Sequence, residues 1–372
     1  MDFTRLTEYL DSLPGIGVPG LDLIVCQDGA RIYRHMAGTR DAARTEPVRG
    51  DETYRLYSCT KLFTTCAAMQ LIERGKLHLD DPVSDYLPAY AHLTVKEGEG
   101  SRPARRVMTV RHLMSMQSGL NYDTNTPAVR EVMERTGGKA TTRELMEAKA
   151  ADPLEFDPGE DFLYSLSHDA LAAVVEVASG LRFSEYLKKN IWDPLGMKTV
   201  SFDLTDALYR RMAMQYHYNE HTGDFEPEPV DPANYRRSPN YESGGGGLIG
   251  DVEDMGRFVN ALACGGSGLL SPEMLQLWSA NQLGPRSRRT FDAWKRVGYS
   301  YGLGVRTRVS TASGGAGQLG EFGWDGAAGA WEMVDPHNRL SAFFAINVLN
   351  YVYVYEVIHP AIRSLIYEGL RA

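Results

Sequence analysis

Strand patterns gather at the two ends of this 372-residue chain, and helical patterns fill its middle. Runs of strands kept apart from runs of helices predict an α+β fold rather than a doubly wound parallel sheet. Two short β patterns lie at 21–25 and 31–36, and Asp28-Gly29 between them is a hairpin signal. Three more β patterns, at 301–309, 328–334 and 340–348, precede a last amphipathic helix at 357–370. The expected architecture is an antiparallel five-stranded, or slightly larger, sheet covered by terminal helices, with a large helical insert. Residues 1–57 and 297–372 would form the sheet domain and 58–296 the insert, with a cleft at the seam.

The other elements follow in order. Residues 1–10 start an amphipathic helix, and the Pro- and Gly-rich stretch 14–20 breaks it. A helical pattern runs from Leu62 to Ile72 and stops at Gly75. Residues 80–88 begin a helix-and-loop region, and the polar 96–106 reads as an exposed loop. A capped helix at 109–116 is followed by helices at 128–135, 142–150, 168–178 and 183–190. Residues 201–241 are rich in Tyr, Pro, Asn and Glu without periodicity, and such a long irregular segment points to a binding role. Four glycines at 244–247 precede a helix at 251–262.

Composition excludes several function classes. Charged residues make up 23% and hydrophobic ones 43%, the balance of a soluble globular chain. The net charge of −9 argues against nucleic acid or an anionic membrane as partner. No stretch approaches 18 apolar residues, and the N-terminus lacks a basic segment followed by an apolar one. Cys26, Cys59, Cys66 and Cys264 show no metal spacing, and Cys59 and Cys66 are too far apart on one helix to bridge. Free thiols and no signal peptide make a cytoplasmic protein the expectation. His217 and His221 lie in a non-helical stretch without a third ligand, so no metal is expected. The glycine run lacks the residues of a phosphate loop or a dinucleotide fingerprint, so no cofactor is expected either. There is no Gly-x-Ser-x-Gly elbow.

The chemistry-bearing candidates lie at element boundaries. Ser58 and Lys61 stand three apart at the start of the 62–72 helix. Residues i and i+3 share a helix face, and side chains lean toward the N-terminus, so the Lys61 stem folds back over Ser58. An amine held there, partly dry and at the positive end of the helix dipole, loses its proton more easily. It can then take the proton of Ser58 and make the hydroxyl a nucleophile. An N-capping serine beside a solvated lysine would carry the same letters. Tyr164, in the loop after a Pro158-Gly159 turn, can face the same cleft. A phenol beside a cationic lysine is expected to have a lowered pKa and to shuttle a proton. Trp324-Asp325-Gly326-Ala327 enters a strand with small residues, which let a substrate lie against backbone N–H groups.

Taken together, Ser58-Cys59-Thr60-Lys61, Tyr164-Ser165-Leu166 and Trp324-Asp325-Gly326 resemble the three motifs of the serine β-lactamase-like superfamily. That superfamily includes class C β-lactamases, DD-peptidases, β-lactamase-like carboxylesterases and related acyltransferases. Thr109 to Leu113, Ser118-Gly119-Leu120, Gly245 to Leu248, Tyr301 to Gly304 and Val334-Asp335-Pro336 are also similar to family landmarks, so the resemblance spans nearly the whole chain. It implies the sheet-plus-helical-insert fold. It implies Ser58 as the acylated nucleophile, Lys61 and Tyr164 as sharers of acid–base work, and the N–H groups of Ser58 and Ala327 as an oxyanion hole. Tyr122, Leu166, His168, Trp324, Asp325 and Gly326 are the implied substrate-binding positions.

Two departures shape the expected substrate. Leu166 stands where the lactamase motif ends in Asn, and Trp324 where lactamases and DD-peptidases carry the Lys of Lys-Thr-Gly. Tryptophan there resembles the esterase branch. Loss of a cation and an amide donor, with Asp325 adding negative charge if it points inward, favours a neutral ester over an anionic β-lactam. His168 would either restore a polar contact or cap the following helix. The expectation is a serine hydrolase acting on small-molecule esters, amides or β-lactams through an acyl-enzyme, first of all a carboxylesterase on neutral or partly apolar esters. Weak β-lactamase or DD-peptidase-type activity, acyl transfer to a small alcohol, and a non-catalytic binding protein of the same fold stay open.

Overall fold

The N-terminal hairpin forms where the sequence places it. Gly20–Gln27 pairs antiparallel with Ala30–Gly38, and Asp28 and Gly29 turn the chain at φ of 51° and 86°. Two central residues at positive φ give the two-residue turn whose twist matches the strands it joins. The structure, a computed structural model, describes residues 1–294, 296–312 and 315–372.

The hairpin is the edge of a seven-stranded antiparallel sheet. Its order is Ala30–Gly38, Gly20–Gln27, Leu340–Ala345, Trp331–Asp335, Phe322–Gly323, Arg306–Arg308, Tyr299–Tyr301. The β pattern at 301–309 is therefore two strands, not one. The chain reverses between them through Gly302-Leu303-Gly304, with Gly304 at φ 77°. A further strand, Phe322–Gly323, is two residues long, too short to leave a periodic trace.

Alternation along Gly20–Gln27 divides the interior. Leu21, Leu23 and Val25 point into a core closed by the terminal helices Thr4–Ser12 and His359–Arg371, with Leu6, Leu10, Ile362 and Ile366. Ile24 and Cys26 point the other way, into the larger core. There the sheet meets helix Val252–Ala263, which comes from the middle of the chain. The terminal helices thus cover one face only, and a helix of the central segment covers the other.

That second helix fixes the seam. Phe258 stacks on Phe63 of helix Thr60–Glu73 with ring centroids 3.9 Å apart. Such pairs add about 0.5–1.5 kcal/mol beyond their burial. Helix Thr60–Glu73 is buried on every side from Thr60 to Leu71, so its first turn is held from all directions.

Two surface readings differ from expectation. Residues 96–106 hold a hairpin, Thr94–Glu97 with Gly100–Pro103, which Arg102 fastens through a two-pronged contact to Asp157 at 2.7 and 3.1 Å. Within 201–241 lie helix Asp206–Arg211 and strands Tyr216–Asn219 and Asp224–Pro227, the former strand pairing in parallel with Val348–Leu349. Among the described residues no helix is long and apolar enough to cross a membrane.

Candidate active site

Ser58 sits in the single 3-10 turn Tyr57–Cys59 that opens into helix Thr60–Glu73. The turn is tightly set. Tyr57 holds a φ of 45°, uncommon for a residue with a side chain, and its hydroxyl donates to Gln215 at 2.7 Å. Backbone strain of this sort persists only where surroundings over-determine it. As expected from the i, i+3 spacing, Lys61 folds back: Nζ lies 3.1 Å from Ser58 Oγ. Nζ also donates to Gly245 O at 2.5 Å and to the Tyr122 hydroxyl at 3.4 Å. Lys61 is fully buried. Burial pulls its pKa from 10.5 down to about 7, and the negative charge of Asp169 works against that fall.

Tyr164 completes the cluster. Its hydroxyl faces Ser58 and accepts from Trp324 Nε1 at 2.8 Å. Lys61 Nζ stands 4.5 Å from its ring centroid. The phenol does not have the lowered pKa expected of it. Burial pushes it up, and the hydrogen bonds from Ser58 and Trp324 offset this only in part. At neutral pH Tyr164 is therefore a neutral hydroxyl, and Lys61 is the group of the pair that titrates near pH 7.

Ser58, Tyr164 and Ala327 stand where two lobes of the cleft meet. The wider lobe, about 430 Å³, is lined by Arg55, Tyr122, Leu166, Arg237, Tyr241 and Gly245, among others. The narrower, about 250 Å³, is lined by Trp294, Trp324, Gly326, Tyr355 and the Arg296–Asp325 pair. Tyr355 donates its hydroxyl hydrogen between Gly326 O and Ala327 O, at 2.8 and 2.9 Å, and so pins the loop. Ser58 lies at a helix N-terminus, where backbone N–H groups lack a carbonyl four residues back. Its N–H and that of Ala327 are the candidate oxyanion donors.

Not every expected position is where the sequence reading put it. Tyr122, Leu166, Trp324 and Gly326 line the cleft. Asp325 does not act as a free negative charge there. Burial pushes its carboxyl up, but Arg296 at 2.5 Å and Arg306 at 2.8 Å outweigh that and hold it low and paired. His168 neither touches the cleft nor caps a helix. It points into the core, its Nε2 3.5 Å from Met114 O and its ring against Gly304, and burial holds it neutral. Several lining residues, among them Trp294, Tyr355 and Asp169, carry no mark in the sequence. Asp169, five positions after Tyr164, is buried and lines the wider lobe. Its Oδ1 accepts from Tyr241 at 2.6 Å and Ser243 at 2.5 Å. No spacing rule in the sequence marks an aspartate inside a helix start.

Comparison with known proteins finds a family match and similar proteins over most of the chain. A family model described as Beta-lactamase matches residues 6–358. Esterase EstB of Burkholderia gladioli is 30% identical over 355 residues, 88% of this chain and 86% of the relative. Monacolin J acid methylbutanoyltransferase of Aspergillus terreus is 31% identical over 330 residues, 83% of this chain and 79% of the relative. The solved structure of EstCE1, a hydrolase with promiscuous acyltransferase activity, superposes with a TM-score of 0.81 at 25% identity, covering 98% of both chains.

Proposed function

The chain belongs to the beta-lactamase family, and on that footing we propose that it is a carboxylesterase working through an acyl-enzyme on Ser58. The observation that carries this reading is the contact of 3.1 Å between the buried Lys61 Nζ and Ser58 Oγ. An amine with a pKa of about 7 is neutral half the time at pH 7. Its lone pair takes the Ser58 proton as Oγ attacks the ester carbonyl. The N–H groups of Ser58 and Ala327 receive the oxyanion that forms. Tyr164, beside Ser58 and with Lys61 Nζ against its ring, hands a proton to the departing alcohol and takes back the one that Lys61 gained from Ser58. Water then repeats the sequence on the acyl-enzyme.

The narrow lobe supports a neutral, partly apolar substrate. Its walls are Trp294, Trp324 and Tyr355, and the charge of Arg296 is met by Asp325. A second reading, transfer of the acyl group to a small alcohol, is favoured by the wider lobe. It leaves room beside Ser58 for an acceptor while the acyl group occupies the other side.

The test is turnover of p-nitrophenyl esters of graded chain length beside nitrocefin, with Ser58→Ala as control. Ester kcat/KM should exceed that for nitrocefin, and Ser58→Ala should abolish both. Nitrocefin turnover equal to or above the best ester would reverse the ranking. Adding primary alcohols and measuring new ester formed separates transfer from hydrolysis.

A further inference from the structure

We infer that Asp169 is a positioning residue for acylation: its carboxylate faces Lys61 and keeps that amine able to hold the proton it takes from Ser58. The inference rests on the acyl-enzyme reading and adds to it a residue whose hydrogen bonds go to Tyr241 and Ser243 rather than to Ser58.

The geometry comes first. Asp169 is 1% exposed, and while its Oδ1 has two donors, its Oδ2 has no hydrogen-bond partner. A buried, bare carboxylate oxygen is costly unless a cation compensates it. Oδ2 is aimed across Gly245: a Cβ placed on that glycine would lie 2.4 Å from Oδ2 and 3.6 Å from Lys61 Nζ. The absent side chain is the gap across which carboxylate and amine face each other. Gly245 also offers its carbonyl to Lys61, and Tyr241 and Ser243, on the same stretch of chain, hold Oδ1.

The chemistry gives this arrangement a purpose. A general base serves best when its proton affinity matches the working pH. Burial alone would leave Lys61 too weak a base to retain the serine proton. The groups facing Lys61 are Ser58 and Cys59 from its own turn, Tyr122 and Tyr164 from the cleft walls, His168 and Asp169 from helix Ser167–Ser179, and Tyr241 through Asp169. Burial pushes the Cys59 thiol and the Tyr164 and Tyr241 phenols up, and pulls His168 down to about 3, so these stay neutral at pH 7. Within this group Asp169 is the carboxylate.

The experiment measures the rate at which a fluorophosphonate labels Ser58, by intact mass, from pH 5 to pH 9. In the unaltered enzyme labelling should fall away below about pH 7. In Asp169→Asn the acid limb should move to lower pH by about one unit or more, the size expected for losing a nearby charge. Tyr241→Phe removes a donor but keeps the carboxylate, so its limb should stay at the position of the unaltered enzyme. Asp169→Ser, which also removes the charge, carries the expectation of Asp169→Asn should the amide not fold. An unmoved limb in the charge-removing variants would overturn the inference while the acyl-enzyme reading stands. A limb moved equally by Tyr241→Phe would mean that Asp169 acts only by pinning the 241–245 stretch, and would overturn it too. No labelling of the unaltered enzyme would sink both readings at once.

Discussion

Replacing Lys61 with methionine should make the protein inactive and, at neutral pH, more stable. Methionine matches the length of the lysine stem but carries no base. Loss of a positioned general base costs about 10²–10⁴ in rate. The stability effect follows from the burial. The pKa of Lys61 falls from 10.5 to about 7 on folding. That fall of about 3.5, at about 1.36 kcal/mol each, is on the order of 4–5 kcal/mol. The direction is fixed by proton counts. Between pH 7 and pH 10.5 the unfolded chain holds a proton on Lys61 that the folded chain has lost, so stability rises with pH across that window. The contribution is complete above pH 10.5 and is lost as pH falls toward 7. Methionine removes this penalty but also forfeits the contacts to Ser58, Tyr122 and Gly245 O, about 1 kcal/mol each at most. The variant should therefore gain about 1–3 kcal/mol at pH 7. Its advantage should shrink by about 1.4 kcal/mol per pH unit on going to pH 10. Urea unfolding at pH 7, 8.5 and 10 reads this directly, with ester turnover measured on the same samples. A stability difference that does not change with pH would refute the claim that Lys61 folds into a dry site with a depressed pKa. Turnover within tenfold of the unaltered enzyme would refute its role as base.

Trp324→Phe keeps the ring among Tyr164, Tyr301 and Trp294 but removes the N–H that Tyr164 accepts. Its kcat for ester hydrolysis should fall about tenfold, the worth of one hydrogen bond to a reacting group, with KM little changed; a change confined to KM would make Trp324 a wall of the pocket and nothing more. Arg306→Met breaks a buried contact to Asp325 and frees Glu332 O, and should cost about 3–5 kcal/mol in urea unfolding. A loss below about 1 kcal/mol would mean that Arg296 alone satisfies Asp325.

The parts legible in the sequence were those written in local periodicity. The Asp28-Gly29 turn, the strands at both ends and the folding back of Lys61 over Ser58 each depend on residues a few positions apart. What stayed hidden depends on distant segments. His168 sits two residues after Leu166, yet helix Ser167–Ser179 begins between them and turns it toward Met114 and Gly304 instead of the cleft. Asp169 becomes a neighbour of Lys61 because helix Ser167–Ser179 packs against helix Thr60–Glu73, and Gly245 places no side chain between them. The raised pKa of Tyr164 is hidden from the sequence for a related reason. Linear proximity to a cation can be guessed, but full burial, which outweighs it, is a property of the packed core.

The exchange at position 324 shows how the site's parts are joined. Read as a motif, Trp324 is a missing cation, and restoring Lys there with Asn at 166 would restore a lactamase pattern. The structure argues otherwise. Trp324 is 2% exposed, its ring lies against three aromatic residues, and its N–H serves Tyr164. An ammonium in that place would be buried beside the guanidinium of Arg296, on a strand entry already balanced by the contacts of Asp325 to Arg296 and Arg306. Among the described residues lining the lobe the carboxylate is Asp325, and it is already committed. The tryptophan therefore both holds the Tyr164 hydroxyl and lines the cleft, and the two cannot be exchanged separately. On the proposed reading, a preference for neutral esters rests on the same indole that donates to the Tyr164 hydroxyl.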